Sequence, residues 1–155
     1  AIDTTFGGFR ERADATYALL KDSGTAFIVV AVPERDALRE AAYFVERLNQ
    51  DEMPLGGLIL NRVQEVPETG LTQDQVLAAA QKLSADTTGA LTAALLGLHA
   101  ERMEIKGRQK HLASRFTAAH PSVPAQPVPA MTKDVHDLEG LREIGAALAN
   151  QEITW

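Results

Sequence analysis

Asn61 carries a carboxamide, a side chain that pairs a hydrogen-bond donor with an acceptor, and it stands near the end of an apolar run, Leu55 to Val63 (LGGLILNRV). That pair matches the N6/N7 edge of adenine, as it does where proteins read DNA. A second extended run ends in Pro129-Ala130-Met131. A proline-containing loop there can offer carbonyls and a flat apolar surface to a base with little backbone left to order. A third run ends in Pro33-Glu34. Ligands of open parallel sheets sit beyond the carboxyl ends of the strands. If these runs are parallel strands, their polar ends share one rim. The competing view of Asn61 is a plain turn or cap residue, and residue types alone leave both open.

Other chemistry is scarce. No G-x-x-x-x-G-K-[ST] occurs, so the chain has no phosphate-cradling loop with its Lys and Mg²⁺-binding hydroxyl, and no G-x-G-x-x-G follows a strand. Gly7-Gly8 and Gly56-Gly57 are isolated pairs, expected to serve packing or turns. Cysteine is absent, which removes disulfides, thiolate zinc sites and a cysteine nucleophile. The four histidines, His99, His111, His120 and His136, have no metal-ligand spacing, so no metal site is expected. Asp134 and Asp137 are placed to favour the start of a helix. Arg102, Lys106, Arg108, Lys110 and Arg115 form the basic cluster. In a chain with net charge −6 and 5% aromatic residues, that cluster is expected to be a solvated helix face rather than a nucleic-acid contact.

The elements that must position the rim follow from periodicity. Phe6 to Lys21 places Phe9, Ala13, Tyr17 and Leu20 on one helical face, and Asp22-Ser23-Gly24 ends it. Thr25 to Val32 (TAFIVVAV) is apolar without alternation, the pattern of a parallel strand covered on both faces. Pro33-Glu34 suits the first turn of the next helix, whose stripe is Leu38, Ala41, Ala42, Val45 and Leu48. Asn49 to Pro54 ends it and Leu55 to Val63 is a second buried strand, so a parallel β-α-β unit is expected. Thr72 and Gln75 form a capping box before a helix carrying Val76, Ala79, Ala80 and Leu83. A break is expected at Asp86 to Gly89. Leu91, Leu95, Leu98, Met103, Ile105, Leu112 and Phe116 then imply one long or two consecutive helices, with the uncharged stretch Thr87 to His99 buried. His120 to Pro129 holds four of the seven prolines and should run extended, as a connector. Gln126 to Met131 is expected as a third, edge strand. A last helix carries Val135, Leu138, Leu141, Ile144 and Leu148. The expectation is an α/β fold, a parallel sheet flanked by helices.

Composition agrees with one domain. The chain has 155 residues, 45% apolar and 23% charged, ordinary for a globular protein with its own core. Residues 1–155 are expected to form a single α/β domain with a helical segment at 72–117 and a Pro-rich connector at 120–131. No apolar run approaches the ~20 residues that span a bilayer, so stable membrane insertion is not expected. No basic-then-apolar leader opens the chain, which predicts a cytoplasmic protein. The first residue is Ala rather than Met, which suggests processing or a fragment.

Taken in order, these segments resemble a known family. Phe27-Ile-Val-Val-Ala-Val-Pro-Glu34, a helix and then Leu58-Ile-Leu-Asn-Arg62 are similar to the strand-PE-helix-strand-N stretch of the arsenite-transporter-type (ArsA-like) ATPases. That family includes the ATPase that targets tail-anchored membrane proteins. Arg108-Gln-Lys-His-Leu112, then Val128-Pro129-Ala130-Met131, then Val135-His-Asp-Leu-Glu-Gly140-Leu141 resemble the family's closing segment. The resemblance covers nearly the whole chain as the C-terminal half of a longer ATPase. Targeting members carry a C-x-x-C zinc pair; the region around Leu98 and Glu101 has none, so the zinc-less bacterial branch is the nearer likeness.

The resemblance implies a partial P-loop NTPase fold of SIMIBI type that lacks the phosphate loop. It implies that Asn61 contacts adenine, that Pro129, Ala130 and Met131 form the adenine-side loop, and that Glu34 lies near the nucleotide or a dimer interface. ATP or ADP with Mg²⁺ would be the cofactor, its metal ligands outside this chain. The partner would be an N-terminal ATPase part or a sister subunit, in a homo- or heterodimer. No catalytic residue is assigned, and ATP hydrolysis would need that partner. The alternative is a non-catalytic α/β interaction domain or pseudo-ATPase subunit, with contacts from the Leu91 to Leu98 helix and the basic segment after it.

Overall fold

The structure is a computed structural model that describes residues 2–85 and 87–150. Among the described residues five α-helices and three strands follow one another in the order α1 (Ile2–Lys21), β1 (Phe27–Ala31), α2 (Arg35–Gln50), β2 (Leu55–Val63), α3 (Gln73–Ser84), α4 (Ala90–Ala119), β3 (Ala125–Pro129) and α5 (Leu138–Asn150). The strands form one parallel sheet in the order β1-β2-β3. The expected parallel β-α-β unit is present, and β2 has the expected bounds.

The core lies on one face of this sheet. The stripe of α2 buries Leu38, Ala41, Val45 and Leu48 against Val29 and Ala31 of β1 and Leu58 and Leu60 of β2. Ala113 and Phe116, from the C-terminal part of α4, join it with Val63 and Val123. At 30 residues, α4 is one uninterrupted helix roughly 45 Å long. Its N-terminal half runs beyond the core and packs on α3. There Val76, Ala93 and Ala100 are buried outside the main cluster. The capping box at Thr72 is formed: its hydroxyl accepts from the Gln75 amide, and the Gln75 side chain accepts from the Thr72 amide at 2.9 Å.

Several expectations need correction. Pro33 and Glu34 precede α2 instead of opening it; Glu34 is the N-cap, with no side-chain capping bond, and Pro33 is fully buried. The third strand ends at Pro129, leaving Ala130 and Met131 beyond it. Val135 precedes α5, which the Asp137 carboxylate caps by accepting from the Gly140 amide at 2.8 Å. Of the expected break, Asp86 lies outside the described residues, and Thr87–Gly89 form a 3₁₀ turn. Leu91, Leu95 and Leu98 are exposed, not buried, because this half of α4 outruns the sheet and packs mainly on α3. The strand covering expected on both faces of β1 is found on one. Ile28 and Val30 point away from the core and remain exposed, and α1 makes at most marginal contact with the other elements.

The glycine pair expected to serve packing does so inside β2. A Cβ on Gly57, whose φ is +155°, would stand 2.8 Å from the Pro124 carbonyl oxygen. That oxygen also accepts from the Leu58 amide at 2.8 Å, so β2 and the approach to β3 are locked at this distance. Gly57→Ala must part the strands and is expected to cost about 1–3 kcal/mol, the usual range for overpacking. Thermal denaturation measures it; an unchanged midpoint would show that the contact yields freely.

Candidate functional site

The register between β2 and β3 breaks at the end of β2. Leu60 pairs with Pro127 and Val63 with Pro129, so Asn61 and Arg62 together stand opposite Val128 alone. This is a β-bulge, a device that re-aims a side chain at a strand end. Arg62 takes up the extra residue with φ +59°, a left-handed conformation that costs a non-glycine residue roughly 1 kcal/mol or more. Its amide donates to Asn61 Oδ1 at 3.0 Å, which fixes the carboxamide. The second Oδ1 lone pair and both Nδ2 hydrogens stay available for a ligand.

Two further hydrogen bonds hold the surroundings in place. The Ala130 amide donates to the Val63 carbonyl at 2.9 Å, seating the segment after β3 beside the exit of β2. The Gln64 amide donates to Gln109 Oε1 at 2.7 Å, tying that exit to α4. Prolines at 127 and 129 suit this strand. Pro124 presents its carbonyl and Ala130 its amide to β2. Alternation therefore turns positions 127 and 129, which lack an N–H, toward the free edge.

Beyond these strand ends lies a cavity of about 620 Å³, within the usual range for small-molecule sites. Asn61 lines it together with Pro129, Ala130 and Met131, residues far apart in sequence. Glu34 lies on the same rim, after β1, but does not line this cavity. Arg62 and Lys133 bring positive charge to the wall and Asp134 a carboxylate. Val128, Val135 and Ile144 supply apolar surface.

Sequence reasoning set Arg62 beside Asn61 at the strand end without giving it a role, and missed Lys133, Asp134 and Ile144. Ile144 arrives through the packing of α5 on β3. The turn holding Lys133 and Asp134 is ordered by a contact between His136 Nδ1 and the Asp134 carbonyl at 2.9 Å. The polar groups can hydrogen-bond a heteroaromatic edge, and the two cations can meet an anionic substituent on it. Among the described residues no three His, Asp or Glu side chains converge in a way that could hold a metal ion. The basic residues of α4 are exposed, and Arg108 pairs with Glu104 one turn away. No helix among the described residues is long and apolar enough to cross a membrane. No protein-family model matches the chain, and no curated protein matches it.

Proposed function

We propose that this cavity receives the adenine of ATP or ADP. On this reading the chain is the C-terminal nucleotide-binding and dimerisation portion of an ArsA-like anion-transporting ATPase with a SIMIBI-type P-loop fold. The observation that carries it is the meeting of the Asn61 carboxamide with the Pro129–Met131 segment in one cavity at the carboxyl ends of parallel strands. Adenine suits that wall. The carboxamide can accept from N6–H and donate to N7, while proline and methionine surfaces cover the ring faces. Arg62 and Lys133 line the same cavity, and their charge suits a phosphate.

Phosphoryl transfer is achieved mostly by positioning and charge stabilisation. The phosphate loop, the Mg²⁺-binding hydroxyl and a water-positioning carboxylate would come from an N-terminal ATPase part or a sister subunit, in a cytoplasmic homo- or heterodimer. Bound Mg²⁺-ATP would there supply the activated γ-phosphoryl group. This chain's own task is to hold and orient the base. Calorimetric titration with ADP and with GDP tests the reading. ADP is expected to bind more tightly than GDP, and ATP turnover by the chain alone is expected at background. Equal affinities, or robust hydrolysis by this chain, would overturn it.

The alternative, a non-catalytic interaction domain, has one observation in its favour. Leu91, Leu95 and Leu98 form an exposed apolar stripe on α4, larger in hydrophobic content than isolated surface leucines require. It predicts partner binding that ADP does not affect.

A further inference from the structure

The two edges of the sheet are built differently. β3 closes its edge with Pro127 and Pro129, whose nitrogens face outward and cannot donate. β1 closes nothing. The Phe27 amide donates inward to Pro54 at 2.7 Å, so alternation turns the amides and carbonyls of Ile28 and Val30 outward. The strand, FIVVA, carries no charge and no proline. Ile28 is 52% and Val30 58% exposed. Soluble proteins normally guard such an edge with charge, proline or a covering element.

A groove of about 520 Å³ runs along this edge between β1 and the strip Ala37, Glu40, Ala41 and Phe44 of α2. Its floor is small and apolar, and Glu40 is its one charged residue.

We infer that the outer edge of β1 is the docking site of a β-strand from a different polypeptide segment, apolar in alternation and carrying one basic residue. Main-chain bonds to Ile28 and Val30 supply affinity, as in strand addition generally. Side chains on one face of the added strand fill the space over Ala37 and Ala41, and those on the other extend the apolar surface of Ile28 and Val30. The basic residue meets Glu40. Charge disfavours a second copy as occupant, because its matching strip offers Glu40 another carboxylate and no cation. This inference stands apart from the nucleotide reading, since it uses neither the cavity nor its residues.

The test is a titration of the ¹⁵N-labelled chain, free of nucleotide, with a blocked heptapeptide of alternating threonine and valine containing one lysine. Shifts are expected at residues 28–32 and 37–44, with slowed hydrogen exchange at the Ile28 and Val30 amides. Val30→Pro, which copies the sealing of β3, is expected to abolish binding. Val30→Lys serves if that variant melts early, because the side chain already faces solvent. Glu40→Lys is expected to weaken binding about two- to fivefold, the scale of one exposed ion pair. No shifts, shifts elsewhere, or binding that survives both Val30 variants would overturn the inference. So would sedimentation showing a dimer through this edge that excludes the peptide, which would give the site to a second copy. Peptide binding without any ADP binding would sink the nucleotide reading alone.

Discussion

Replacing Leu60 by Ala is expected to remove about 2–5 kcal/mol of stability, the range measured for large-to-small changes at sites that collapse poorly. Leu60 has no exposed surface, sits on the central strand and is paired in register with Ala31 on one side and Pro127 on the other. Strands on both sides and helices α2 and α4 above it leave nothing that can close over the lost methyls. A domain of this size is stable by only about 5–15 kcal/mol, so the change takes a large share of the total. Urea denaturation reads it as a lower midpoint with little change in slope. Leu91→Ala is the control: at 74% exposure it is expected to stay within about 0.5 kcal/mol of the parent chain. Equal effects at the two sites would mean that the core is not where the sheet places it.

The second large effect is on ligand affinity. Asn61→Asp keeps the oxygen that accepts from the Arg62 amide, and with it the local bulge. It removes the Nδ2 donor and sets a carboxylate lone pair against adenine N7. Losing a bidentate base contact costs about 1–3 kcal/mol, or roughly 5- to 150-fold in affinity. ADP affinity is therefore expected to fall by at least about tenfold in Asn61→Asp, and by about tenfold in Asn61→Ala, where one neutral hydrogen-bond pair is lost. Calorimetry on the chain, and on the ATPase reconstituted with an N-terminal part, measures both. Unchanged affinity would return Asn61 to the role of a turn residue.

Much of the fold was legible because the informative patterns are local. Leucines and alanines three and four apart define α2, and the apolar block from Leu55 to Val63 defines β2 to the residue. A Thr and a Gln three apart announced the start of α3. What failed depended on long-range partners. The unbroken apolar run of β1 says that the strand favours cover on both faces, not that cover is present, and Ile28 and Val30 lie bare. The uncharged leucines from 91 to 98 look like core, yet α4 carries them past the sheet.

The site divides in the same way. Asn61 and Pro129–Met131 were legible as strand ends, since parallel strands bring their ends to one rim. The left-handed turn at Arg62 was not, because nothing in an arginine announces a positive φ. Lys133 and Asp134 were hidden because their places depend on a turn that follows β3, and Ile144 because its place depends on α5. Glu34, expected from the resemblance near the nucleotide or a dimer interface, stands at the end of β1 and does not line the cavity.

The bond between Gln64 and Gln109 joins the exit of β2 to a rod that is anchored in the core at one end and free of it at the other. A pivot of 5° about the anchored end displaces the far tip of a 45 Å helix by roughly 4 Å. Pulling on the leucine-bearing tip therefore loads a strand terminus only three residues from the carboxamide. The long helix is placed like a crank arm, with its short throw at the rim and its long throw carried beside α3.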